Sequence, residues 1–252
     1  MKNTFNNGLS RRSFLAAAGA AAGVAAVPAW AAPSLPLRQF DLAAAPGSTH
    51  LVDSDGTKTK VWSYNGRVPG PEIRIRQGER LRVAVSNGLA EETTIHWHGL
   101  RVPHAMDGVP HLTQKPIAPG ETFVYEFDTP DAGTYWYHPH QRSFEQVGRG
   151  LYGPLIIEET NPPQVDRDVT WVLDDWRLLI DAQISEDFGN RHDMSHAGRI
   201  GNTVTVNGRI TDMFEARAGE RIRLRLINAA NARIFGLEFE GHAPWVIAYD
   251  GQ

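Results

Sequence analysis

The chain has no cysteine in its 252 residues, so it cannot by itself build a disulfide framework or a thiolate metal site. Any metal it holds must be taken by histidine or carboxylate. Helical periodicity is nearly absent too, and 24 glycines and 16 prolines interrupt the chain too often for a helical bundle. An excess of basic residues is also missing. The net charge of −4 counts against nucleic acid as a partner.

One apolar stretch lies near the N-terminus, but its alanine and glycine content makes it too weakly hydrophobic to read as a membrane-spanning helix. It begins with Arg11-Arg12 and Phe14-Leu15 and ends in the small-x-small sequence Ala29-Trp30-Ala31. This pattern reads as a twin-arginine export signal over residues 1–31, cleaved near Ala31. Cleavage removes Lys2, Arg11 and Arg12 and no acid, which takes the net charge from −4 to −7. The mature protein is then periplasmic or secreted, with no membrane span. As a class, this route carries folded proteins, often with a cofactor already inserted.

Beyond the signal, short β-type runs recur between turn residues, at 60–64, 72–76, 80–86, 93–97, 122–127, 134–137 and 155–158. The pattern predicts an all-β sandwich or barrel. Asn161-Pro162-Pro163 marks a linker. It separates a first domain over 40–160 from a second over 164–252.

The second part repeats the first. "YNGRVPGPEIRIRQGERLRVAVSNGLAEETTIHWHGL", from residue 64, lies over "VNGRITDMFEARAGERIRLRLINAANARIFGLEFEGH", from residue 206, with Gly78-Glu79-Arg80 on Gly219-Glu220-Arg221 and Asn87 on Asn228. A unit of that size is a whole domain. The repeat places His96 on Leu237 and His98 on Phe239, so the same strand in the second copy is expected to carry apolar residues. Those histidines are then additions for chemistry. Met106-Asp107-Gly108 corresponds to Tyr249-Asp250-Gly251, and no counterpart of the later first-domain strands follows. The expectation is one complete domain followed by a partial copy, with the chain a portion of a longer protein.

Two His-x-His pairs carry the chemistry: His96 and His98 around Trp97, and His138 and His140 around Pro139. Residues i and i+2 of a strand share a face, about 6.6 Å apart, so both imidazoles of a pair reach one site. Neutral imidazole suits Cu, Zn, Fe and Ni. With histidine donors, no thiolate and an export route, copper is the expected metal. A weaker second candidate is the pair His192 and His196 beside Met194. Asp107 stands in an Asp-Gly turn, a position that turn geometry alone would also explain.

The segments "HWHG", "MDGVP", "IAPGETFVYEF", "GTYWYHPH" and "GLYGPLIIEE" resemble the first cupredoxin domain of multicopper oxidases, the class of laccases and bacterial copper-efflux oxidases. "TVNGR", "AGERIRLRLINAA" and "YDGQ" resemble the start of the second. The resemblance implies a cupredoxin-like Greek-key β-sandwich. In that family electrons pass from a reductant through a type 1 copper to a trinuclear cluster that reduces dioxygen to water. It implies His96 as a type 2 copper ligand, His98, His138 and His140 as type 3 ligands, and Asp107 as an acid assisting proton delivery. The family's last domain supplies four further cluster histidines and the cysteine of the type 1 site. Neither is present here, so the chain alone is expected not to turn over.

Three functions follow. The first is the N-terminal part of an exported oxidase acting on phenol-like organics or cuprous ion. The second is a periplasmic copper-binding or copper-storage protein without redox turnover. The third is a copper-free structural relative, against which the four intact histidines argue.

Overall fold

The computed structural model describes residues 35–52, 56–210, 213–249 and 251. The expected signal at 1–31 lies outside them. The chain up to the linker forms strands β1 (Leu37–Thr49), β2 (Thr59–Tyr64), β3 (Ile73–Arg76), β4 (Arg80–Asn87), β5 (His96–His98), β6 (Thr122–Asp128), β7 (Gly133–His138) and β8 (Gly153–Glu158). They make two four-stranded sheets, ordered β2-β1-β4-β6 and β3-β8-β7-β5.

Alternation decides which side chains meet between the sheets. Leu81, Val83 and Val85 of β4 and Tyr125 and Phe127 of β6 enter from one sheet; Trp97 of β5, Tyr135 and Tyr137 of β7, and Leu155 and Ile157 of β8 enter from the other. Full burial of each such side chain is worth roughly 1.5–3 kcal/mol. Strand β8 is buried on both faces along nearly its whole length, as a strand covered on both sides must be.

Strand β1 lies outside the β-type runs read from the sequence. Its alanines and its Pro46-Gly47 pair are poor strand formers. Pairing on two sides overrides that propensity: residues 37–44 run parallel to β4 and residues 44–49 antiparallel to β2.

After the linker come β9 (Arg167–Trp176), β10 (Thr203–Val206) and β11 (Ile222–Asn228), ordered β10-β9-β11. Strand β9 is antiparallel to β10 and parallel to β11, the relation β1 has to β2 and β4. The hydrogen bonds repeat as well. Asn65 Oδ1 accepts from Ala43 N–H at 2.6 Å and its amide donates to the Asp41 carbonyl at 2.9 Å. Asn207 Oδ1 accepts from Val172 N–H at 2.8 Å and its amide donates to the Thr170 carbonyl at 3.0 Å. Both asparagines have positive φ, 54° and 52°, and each is followed by a glycine in the same region.

One expectation fails. Residues 237 and 239 lie in irregular chain rather than in a strand, Leu237 exposed and Phe239 partly buried. A strand as short as β5 persists because β7 pairs with it, and residues 237–239 have no such partner among the described residues.

The two halves are joined across the linker. Val61, Val68 and Tyr152 share a second apolar cluster with Val172, Trp176, Leu178 and Ile227. Buried Arg225 bonds Asp168 through Nε and Nη2 at 2.7 and 2.8 Å, and donates from Nη1 to Thr134 Oγ1 at 2.8 Å. Among the described residues no helix is long and apolar enough to cross a membrane.

The repeated asparagines make a paired prediction. Asn65→Ala or Asn207→Ala loses two side-chain hydrogen bonds and puts a β-carbon at positive φ, and each should cost about 2–4 kcal/mol. The corresponding glycine variants keep the turn and should cost less. Urea denaturation of the four variants measures both differences.

Candidate metal centre

The sequence Ile95-His96-Trp97-His98 settles where its histidines point. Ile95 and Trp97 are fully buried in the first core, Trp97 against Tyr125, Phe127 and Tyr137. Alternation then puts His96 and His98 on the outer face of the sheet. Strand β7 obeys the same rule, with Tyr135 and Tyr137 inward and Thr134, Trp136 and His138 outward.

Antiparallel pairing brings the two sets together, with His96 directly opposite His138 and His98 opposite Trp136. His140 follows β7 and is fixed by its own N–H, which donates to Thr94 Oγ1 at 3.1 Å. Ring centroids are 4.4 Å apart for His96 and His140, 5.5 Å for His96 and His138, and 5.4 Å for His98 and His138. Ligand nitrogens of His96, His138 and His140 all lie within 4.8 Å of one another. His98 joins them through Nδ1, 3.2 Å from His138 Nε2.

The second ring nitrogens show which donor atoms are presented. His96 Nδ1 lies 2.9 Å from the Asp107 carbonyl and 3.2 Å from Asp107 Oδ1, so its proton sits on Nδ1 and Nε2 carries the lone pair. His138 Nδ1 donates to the Pro139 carbonyl at 3.0 Å, which again leaves Nε2 as the donor atom. Such outer partners fix tautomer and ring orientation in metal sites. Two imidazole nitrogens 3.2 Å apart also match the roughly 3.3 Å separation of two nitrogens at about 2.0 Å from one tetrahedral metal. The donor set therefore fits an imidazole-binding metal.

Asp107 owes its position to its neighbour. Gly108 has φ 76°, and a β-carbon there would overlap the Ile95 carbonyl. Only glycine lets the Asp107 turn lie against the start of β5. On the other side a one-turn helix, α1 (Ser143–Gln146), follows His140. Its buried Gln146 accepts from the Thr93 hydroxyl at 2.8 Å and donates to the Glu92 carbonyl at 2.8 Å. The chain before the first pair is thus tied to the chain after the second. Thr94, Gln146 and Trp136 carry no sequence signal that marks them as part of this cluster.

Burial pushes the His138 imidazole down to about 3, and the neighbouring His96, His98 and His140 act in the same direction against its bond to Pro139. His140 is also lowered, by burial first and then by His96. Both are neutral at neutral pH, as a metal ligand must be.

The second candidate looks different. His192 and His196 stack at 4.3 Å on the one-turn helix α2 (Arg191–Ser195) and its cap. Met194 lies two positions from each, off the shared face. No third ligand joins the pair among the described residues.

A depressed histidine carries a stability signature. The unfolded chain binds a proton at His138 below about 6.5 and the folded one does not until about 3. Its contribution is therefore complete above 6.5 and is lost as pH falls toward 3. In metal-free protein, His138→Gln should flatten the fall in urea midpoint between pH 6.5 and 4. Parallel wild-type and variant curves would show that His138 titrates normally.

Two multicopper oxidase family models match the chain, one over residues 47–162 and the other over residues 167–252. Copper resistance protein A of Pseudomonas syringae pv. tomato is 32% identical over 96% of this chain and 48% of its own length. The multicopper oxidase MmcO of Mycobacterium tuberculosis is 33% identical over 79% of this chain and 45% of its own length. The crystal structure of a multicopper oxidase from Pseudomonas thermotolerans superposes with a TM-score of 0.75 at 43% identity, covering 79% of this chain and 48% of that one. The chain spans about half the length of these relatives.

Proposed function

The chain belongs to the multicopper oxidase family, and on that premise we propose that residues 40–160 and 164–252 are the first cupredoxin unit and part of the second of an exported oxidase. The reductant is a phenol-like organic molecule or cuprous ion, and dioxygen is reduced to water. The observation that carries this reading is the meeting of four imidazoles on one sheet face, with nitrogens as close as 3.2 Å. Export by the twin-arginine route rests on Arg11-Arg12 and the Ala29-Trp30-Ala31 site.

His96 presents Nε2 as the type 2 ligand. His98, presenting Nδ1, and His138 and His140 supply the type 3 ligands. Copper held by these residues would supply single-electron steps to dioxygen. Reduction to two waters consumes four electrons and four protons. The Asp107 carboxylate, a third exposed and 3.2 Å from His96 Nδ1, holds that ring's proton in place and passes protons inward from solvent. The chain has no cysteine, so it forms no type 1 site of its own. Residues 1–252 alone are expected to bind copper without oxidising a substrate.

Oxygen uptake with a phenol or cuprous ion, in the natural protein that carries these residues, tests the reading. His96→Ala or His138→Ala should lower turnover by more than the roughly 10–100-fold that loss of an outer partner costs, and Asp107→Asn should fall within that range. Copper bound in proportion to these histidines with no oxygen uptake would instead support a copper-binding or storage role.

A further inference from the structure

We propose that Trp136 is a positioning residue that holds His138 and His98 in their ligating orientations; the inference rests on the copper reading above. The outward residues of β7 form a line. Thr134 accepts a hydrogen bond from Arg225 at 2.8 Å, Trp136 packs on the second apolar cluster, and His138 belongs to the metal centre. The indole is thus the one side chain of this line that touches both the shared core and the histidines.

Its geometry meets a specific need. The Trp136 ring stacks on His138 at 4.1 Å with an interplanar angle of 27°. It also faces His98, its cross-strand partner, at 5.0 Å and 35°. The hydrogen bond from His138 Nδ1 to Pro139 restrains that ring at one edge only. His98 is exposed and ends the three-residue edge strand β5. A lone pair is useful only when its ring plane points at the metal, and a flat rigid face against both rings removes the tilts that would turn the lone pairs away. Packing on the cluster fixes the indole itself, because that cluster takes residues from both sides of the linker.

The test is titration of the 252-residue chain with copper sulfate, comparing wild type, Trp136→Phe and Trp136→Met. Methionine fills apolar volume without an aromatic face, and phenylalanine keeps the face. Trp136→Met should bind copper about 10- to 100-fold more weakly, the range for loss of an outer partner, with altered Cu(II) paramagnetic resonance parameters. Trp136→Phe should restore affinity to within a few-fold. In metal-free wild type the His138 ring protons should show an upfield ring-current shift that Trp136→Met loses. Equal copper affinity and unchanged resonance spectra in Trp136→Met, at whatever cost in stability, would overturn the proposal and leave the copper reading standing. A wild-type chain that binds no copper would overturn both.

Discussion

The pairing of a three-residue edge strand with its neighbour is the constraint on which the rest of the site depends. With Trp97 and Tyr137 opposite each other and both directed into the core, His96 must face His138 across the ladder. A one-residue slip of β5 would turn Trp97 outward and His96 and His98 inward, and a slip of β7 would do the same to Tyr137 and His138. Burying two large aromatics therefore guards the register of the histidine cluster on the other face of the sheet. The glycine under the Asp107 turn and the Gln146 tie then act on a geometry already set.

The same sheet has to serve two environments. Its inner face closes the first core, while its outer face is shared between the second half of the chain and the histidines. That division explains why β8 is apolar on both sides while the outer residues of β7 pass from a hydrogen-bonded threonine to an indole to a histidine of the cluster. The polar part of the junction is costly. Arg223 and Arg225 are buried against Glu159 and Asp168, and the desolvation cost of buried charges offsets much of what their pairing contributes to stability. The apolar cluster around Trp176 and Tyr152 supplies the favourable part of the contact.

Much of this was readable from residue patterns. The β class, the two histidine pairs and the repeat of Gly-Glu-Arg and Asn all depend on local spacing, which one sequence displays directly. Strand β1 was not readable, because its alanines and Pro46-Gly47 carry no strand preference and only two-sided pairing makes it a strand. The expected strand at Leu237 and Phe239 failed for the converse reason: a repeated sequence is not enough where no pairing partner stands among the described residues. The partners of the histidines were hidden for a third reason. Thr94 and Gln146 act through tertiary contacts and Pro139 through a backbone oxygen next in sequence to His138, and a threonine, a glutamine and a backbone oxygen carry no signature of that use.

The four imidazoles also limit what the site can hold. His96 and His138 each spend their N–H on a carbonyl outside the cluster, that of Asp107 and that of Pro139. Lone pairs therefore face one another across the centre. A single proton can be shared between His98 Nδ1 and His138 Nε2 at 3.2 Å, but a second would place two cations at that distance in a poorly solvated site. Proton and metal compete for the same lone pairs, and burial penalises any cation. A metal ion differs from a proton in engaging several lone pairs at once. Several nitrogens converging on one centre are thus arranged as the proposed copper binding requires.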